Sequence, residues 1–79
     1  MALTEHMILQ RLRQVADLPA DASGDTELFS SGMLDSVAML NLIMFVEEAT
    51  GLEIRADEVT LENFDSPARI LHFAMARAT

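Results

Sequence analysis

Asp35-Ser36-Val37-Ala38-Met39-Leu40-Asn41-Leu42-Ile43-Met44-Phe45-Val46-Glu47-Glu48-Ala49-Thr50-Gly51 is the stretch on which the fold turns. Asp and Ser are favoured helix caps, and glycine suits the left-handed position that closes a helix. The two ends therefore bracket a helix that begins near Asp35 or Ser36 and ends at Gly51. Between Val37 and Val46 the only polar residue is Asn41. A helix apolar nearly all the way round must bury one side and offer the other to something else. Projected at helical spacing, Met39, Leu42, Ile43 and Val46 share one side, and Val37, Asn41, Met44 and Glu48 the other. Asn41 and Glu48 are the residues least suited to a core, so their side is expected outside. That leaves Val37 and Met44, with Phe45 beside them, exposed, and makes Val37, Asn41, Met44, Phe45 and Glu48 a candidate partner-binding face.

Upstream, Thr4 is an N-cap candidate, and after it Ile8, Leu12 and Val15, flanked by Leu9 and Ala16, recur at helical spacing. His6, Gln10, Arg13, Gln14 and Asp17 fall on the opposite side, so this first helix is amphipathic until Leu18-Pro19 stops it. From there to Asp35 the chain is rich in Ala, Asp, Ser and Gly. Such a connection is longer than helix pairs need, and long loops in small domains tend to carry function. Leu28 and Phe29 are expected to pin it to the core.

Downstream of Gly51, either Ala56-Asp57-Glu58-Val59 or Leu61-Glu62-Asn63-Phe64 can form a short third helical turn. Ser66-Pro67 is a strong start signal, with Ser as cap and Pro at the first helical position. The last helix then runs to about Arg77 and buries Ile70, Leu71, Phe73 and Ala74. The expectation is an all-α fold, a small four-helix bundle of three main helices and one short one with a long first loop, with residues 1–79 forming a single domain.

Composition agrees with that reading and narrows the function. The chain has 79 residues, 51% of them hydrophobic, with four Phe and neither Tyr nor Trp. Such a supply favours helices over strands. With no cysteine, any sulfur chemistry must come from an attached group. Thirteen acidic residues face five basic ones, all Arg, for a formal net charge of -8. That balance repels nucleic acid and anionic membranes, so neither is expected as a partner. From Gln14 to Ile54 there is no Arg or Lys at all, while Asp17, Asp21, Asp25, Glu27, Asp35, Glu47, Glu48 and Glu53 lie in that span. Partners should therefore be basic. No basic stretch followed by a sustained apolar run opens the chain, and a cytoplasmic monomer is the expectation.

The chemistry is expected in Leu28-Phe29-Ser30-Ser31-Gly32-Met33-Leu34-Asp35-Ser36-Val37, a glycine-containing turn that delivers Asp-Ser to a helix start. Here the chain resembles the acyl carrier protein family, in which an Asp-Ser dipeptide followed by Leu, Ile or Val opens the second helix. Leu28-Phe29, Gly32, Glu47-Glu48, Gly51, Ile54 and Phe64-Asp65-Ser66 also fall where such carriers have comparable residues, so the likeness covers nearly the whole chain. The resemblance implies that Ser36 is esterified by 4'-phosphopantetheine from coenzyme A. It also implies that Asp35, besides capping the helix, helps a phosphopantetheinyl transferase recognise the site. Physically, a hydroxyl at a helix N-terminus is exposed, and a phosphodiester there meets unpaired N–H groups and the positive end of the dipole. The implied partners are that transferase, an acyl-loading or adenylating enzyme, and downstream biosynthetic enzymes; the chain itself is a carrier and not a catalyst. Many family members have acidic residues where this chain has Ala38 and Asn41, a departure that argues against recognition dominated by charge along that helix and for a specialised pathway over primary fatty-acid synthesis, expected to be of polyketide or fatty-acyl type.

Two rivals follow from the same residues. A peptidyl or aminoacyl carrier serving an adenylating enzyme of nonribosomal-peptide type has the same fold, but often approaches its serine through Gly-Gly-Asp-Ser, whereas Met33-Leu34-Asp35-Ser36 is of the acyl type. An unmodified acidic adaptor would use the apolar helix alone, and Ser36→Ala would leave it intact. A serine hydrolase is disfavoured, because no Gly-x-Ser-x-Gly elbow surrounds Ser36 and neither His6 nor His72 is placed as its base. Asp21, Asp25 and Glu27 do not follow a calcium-loop pattern. Met39 and Met75 read as gap-fillers in the core.

Overall fold

Every helix starts where the sequence supplies a capping oxygen. In the computed structural model, which describes residues 3–78, Thr4 Oγ1 accepts the Met7 N–H at 3.2 Å and opens α1 (Glu5–Val15). Asp35 caps α2 (Ser36–Thr50), Thr60 caps α3 (Leu61–Phe64), and Ser66 Oγ accepts the Arg69 N–H at 3.2 Å at the head of α4 (Pro67–Ala78). Both candidates for the short third element form, since a 3-10 turn over Ala56–Glu58 precedes α3. Gly51 closes α2 with φ 74, in the left-handed region that any side chain would strain. The described residues thus form the all-helical, four-helix fold with a long first loop that the sequence implies.

The four helices meet on one apolar cluster. Ile8 and Leu12 from α1, Ala38, Leu42 and Val46 from α2, Phe64 from α3, and Ile70, Phe73 and Ala74 from α4 are buried in it, together with Leu28 and Leu34 from the long loop. Phe64 and Phe73 stack at 5.4 Å between centroids with their planes tilted by 50°, a favourable aromatic arrangement. Each fully buried Leu, Ile or Phe contributes about 1.5–3 kcal/mol by leaving water. Leu28 is fully buried and Phe29 packs against the cluster, so the loop is pinned as expected.

The buried line of α2 lies one step round from the expected one. Ala38, Leu42 and Val46, at i, i+4 and i+8, face inward, while Met39 and Ile43 are half-buried at the edge of the core. Ala38 therefore belongs to the interior and not to the outer face, and an acid missing there removes no surface charge. Phe45 also departs from expectation. It is half-buried against the core, and the Arg11 guanidinium of α1 sits 4.8 Å over its ring. The cause is α1, which packs along that side of α2 and covers it. Leu71 is half-buried against the core, whereas Met75 is 53% exposed and fills no gap.

Candidate functional site

Ser36 stands at the first position of α2, exposed, and its hydroxyl makes no hydrogen bond to the described residues. The preceding Asp35 is extended, and its carboxylate accepts the Ala38 N–H at 2.9 Å, while its carbonyl accepts Met39 N–H at 3.0 Å. The cap leaves the N–H groups of Ser36 and Val37 without backbone acceptors at the mouth of the helix. The first turn of α2 carries no acid of its own. An anion esterified to Ser36 would find free donors and the positive end of the helix dipole.

The approach to Ser36 is held from two directions. Gly32 turns the chain with φ 78, donating to Phe29 O at 3.0 Å, and Leu34 N–H donates to Leu28 O at 3.0 Å while its side chain enters the core. Across the fold, the Asp65 carboxylate accepts the N–H groups of Phe29 and Ser30, each at 2.9 Å, and the Ser30 hydroxyl at 2.7 Å. Its carbonyl accepts Leu28 N–H at 2.7 Å. Partial desolvation pushes the Asp65 carboxyl up, but the bonds from Ser30 N–H, the Ser30 hydroxyl and the N–H groups of Phe29 and Leu28 outweigh it, leaving it below its ordinary value of 3.8. The sequence marks Asp65 only as a family landmark. Its role as a strut depends on a contact 35 residues away, which no local pattern signals.

Beside Ser36 opens an apolar cleft of about 490 Å³, lined by Met39, Leu40 and Ile43 of α2 and by Ile54, Ala56 and Val59 of the segment that follows. No charged side chain lines it. A larger surface groove of about 600 Å³ between α3 and α4 contains no residue of the Asp-Ser motif. Around the mouth of α2, Val37, Leu40 and Met44 are exposed by 64%, 61% and 65%, with Asn41 and Glu48 exposed beside them. Leu40 is the member that projection from sequence missed; its i+4 relation to Met44 is the signal that would have found it. Asn41 is occupied within the helix, donating to Val37 O at 3.1 Å. Of the acid pair, Glu47 turns inward to accept Ile54 N–H at 2.8 Å, and only Glu48 is fully outward.

All five arginines are engaged within the chain: Arg11 over Phe45, Arg13 with Pro19 O, Arg55 with Asp57, Arg69 with Glu62 O, and Arg77 with Glu58. None of them pairs with Asp17, Asp21, Asp25, Glu27, Asp35 or Glu48. The negative field around the long loop and the start of α2 is thus uncompensated.

Residues 7–74 match the family model described as the phosphopantetheine attachment site. The chain belongs to this family and is a phosphopantetheine-dependent carrier, a protein that bears substrate and does not transform it. Among curated proteins it is similar to D-alanyl carrier protein 1 of Lactiplantibacillus plantarum, with 26% identity over 86% of this chain and 85% of that one. It is also similar to the D-alanyl carrier protein of Abiotrophia defectiva, with 32% identity over 67% of each chain. Its cofactor is covalent 4'-phosphopantetheine, and carriers of this kind work with a phosphopantetheinyl transferase and partner enzymes. No helix among the described residues is long and apolar enough to cross a membrane.

Proposed function

We propose that Ser36 is the attachment serine and that the chain holds acyl intermediates of a specialised biosynthetic pathway for delivery to separate enzymes. The observation that carries this reading is an exposed, unpartnered hydroxyl at the mouth of α2 that opens onto an uncharged apolar cleft. When attached, the prosthetic group supplies a thiol on a flexible arm, so each encounter between cargo and a docked enzyme is partly intramolecular. The chain's own residues do the positioning. Asp35 fixes the first turn of α2, the N–H groups of Ser36 and Val37 remain free for the attached phosphodiester, and Asp65 holds the loop that leads in. Met39, Leu40, Ile43, Ile54, Ala56 and Val59 offer an apolar cargo a surface away from water.

Val37, Leu40, Asn41, Met44 and Glu48 form the docking face, with the loop acids steering basic partners to it. Phe45 drops out, since α1 covers one side of it. The test is intact mass after incubation with coenzyme A and a broad-specificity phosphopantetheinyl transferase. A single added arm that maps to Ser36 and is lost in Ser36→Ala is expected; an unmodified chain would overturn the assignment.

A second reading concerns the cargo alone. Both curated relatives are D-alanyl carriers, which favours an aminoacyl group loaded by an adenylating enzyme. Loading trials with acyltransferases and adenylating enzymes separate the two, and exclusive aminoacylation would displace the acyl reading.

A further inference from the structure

We infer that Arg77, on the last turn of α4, sets the width of the apolar cleft beside Ser36 and thereby the length of acyl chain the carrier shelters. The inference rests on the reading that cargo enters this cleft. Of the two walls, the one on α2 belongs to a long helix whose inner line is locked in the core. The other, Ile54, Ala56 and Val59, belongs to a short segment whose 3-10 turn buries none of its residues. Apolar packing therefore fixes this wall weakly, through Ile54 at the edge of the core.

Polar clamps on its far side do the rest. Ile54 N–H donates to Glu47 Oε2 at 2.8 Å, and Arg55 N–H donates to Glu58 Oε1 at 2.9 Å. Asn63 Nδ2 donates to Glu58 O at 2.9 Å. Arg77 reaches in from α4: its Nη2 donates to Glu53 O at 3.0 Å and its Nε meets Glu58 Oε2 at 3.1 Å. One guanidinium thus ties the start and the end of the wall to a helix anchored in the core. The pair is sheltered, with side chains 34% and 19% exposed, against 73% and 71% for Arg55 and Asp57, so solvent screens it less. The third nitrogen, Nη1, is buried and makes no hydrogen bond.

The test compares the wild type with Arg77→Gln and Arg77→Lys; Lys keeps the charge but loses the fork that spans Glu53 O and Glu58. Arg55→Gln is the control. Each protein is loaded at Ser36 with butyryl-, octanoyl- or dodecanoyl-phosphopantetheine, transferred from the corresponding acyl-coenzyme A by a broad-specificity phosphopantetheinyl transferase with release of 3',5'-ADP. Two readouts are taken: thioester cleavage by hydroxylamine, and methyl resonances of Met39, Ile54 and Val59. Amide exchange at Ile54 and Arg55 is measured without cargo.

In the wild type, cleavage should slow with chain length up to a limit, with matching methyl shifts. In both Arg77 variants the limit should move to longer chains and amide exchange should rise about fivefold, the factor that goes with a strong surface ion pair, while Arg55→Gln stays as wild type. An unchanged limit and unchanged exchange in a folded Arg77→Lys would overturn the role of Arg77 and leave the cleft reading standing. No chain-length effect in the wild type would overturn both.

Discussion

Asp65→Ala is the substitution that tests most directly how the site is built. The change removes one carboxylate that accepts Phe29 N–H and Ser30 N–H at 2.9 Å and the Ser30 hydroxyl at 2.7 Å. Hydrogen bonds to a charged group are worth about 1.5–3 kcal/mol when buried, but a donor that water can reach recovers most of that. Ser30 is exposed and Phe29 half-buried. The sum is therefore about 2 kcal/mol: about 1 for Phe29 N–H, and about 0.5 for each Ser30 donor. For a chain of this size that corresponds to a fall in melting temperature of about 10 °C. Asp65→Asn keeps one acceptor oxygen and should lose about half as much.

The pH dependence has a definite sign. The folded carboxyl lies below its ordinary value, so its contribution is complete above the unfolded-state titration and fades as pH falls through the lower, folded one. The gap between wild type and Asp65→Asn should thus narrow in acid. Thermal unfolding followed by circular dichroism across the acid range measures both. Equal melting temperatures for Asp65→Ala and wild type at neutral pH would refute the strut, and a gap that widened in acid would refute the charge argument.

Other outcomes follow from the same geometry. Asp35→Ala removes the cap on Ala38 N–H and should cost about 1 kcal/mol in urea unfolding, with slower modification by the transferase. Gly51→Ala forces a side chain into the left-handed region and should cost about 1 kcal/mol, although a Cβ there meets no neighbour, so crowding contributes nothing. Val37→Ser combined with Met44→Ser should leave the melting temperature within a few degrees, since both side chains are exposed, yet raise the KM of partner enzymes several-fold. Leu42→Ala empties the middle of the core and should cost about 3 kcal/mol, read from the shift of the urea midpoint.

The features legible in the sequence are the ones set by neighbours along the chain. Thr4, Asp35, Ser66-Pro67 and Gly51 act within three or four residues of themselves, and each begins or ends its helix where the sequence indicates. The Asp35-Ser36 turn is legible for the same reason, as a turn running into a cap. What could not be read is which line of α2 faces inward, because a helix apolar on nearly every side gives projection little to distinguish. Only the packing of α1 against it decides that Ala38 is inside and that Phe45 is half covered. Asp65 and Arg77 escape for a different reason: their partners lie 35 and 24 residues away in sequence, and only the closed fold brings them together.

The small size of the exposed apolar face on α2 bears on timing. A shuttle fails as surely by clinging as by missing its target. Val37, Leu40 and Met44 project from a helix already rigid on its inner line, so a partner at the proposed docking face would engage them without ordering anything first. Yet the apolar part of that face is three side chains, far less area than a lasting complex requires. If the proposed docking role holds, capture and release are both expected to be quick, leaving hand-over limited by chemistry in the enzymes.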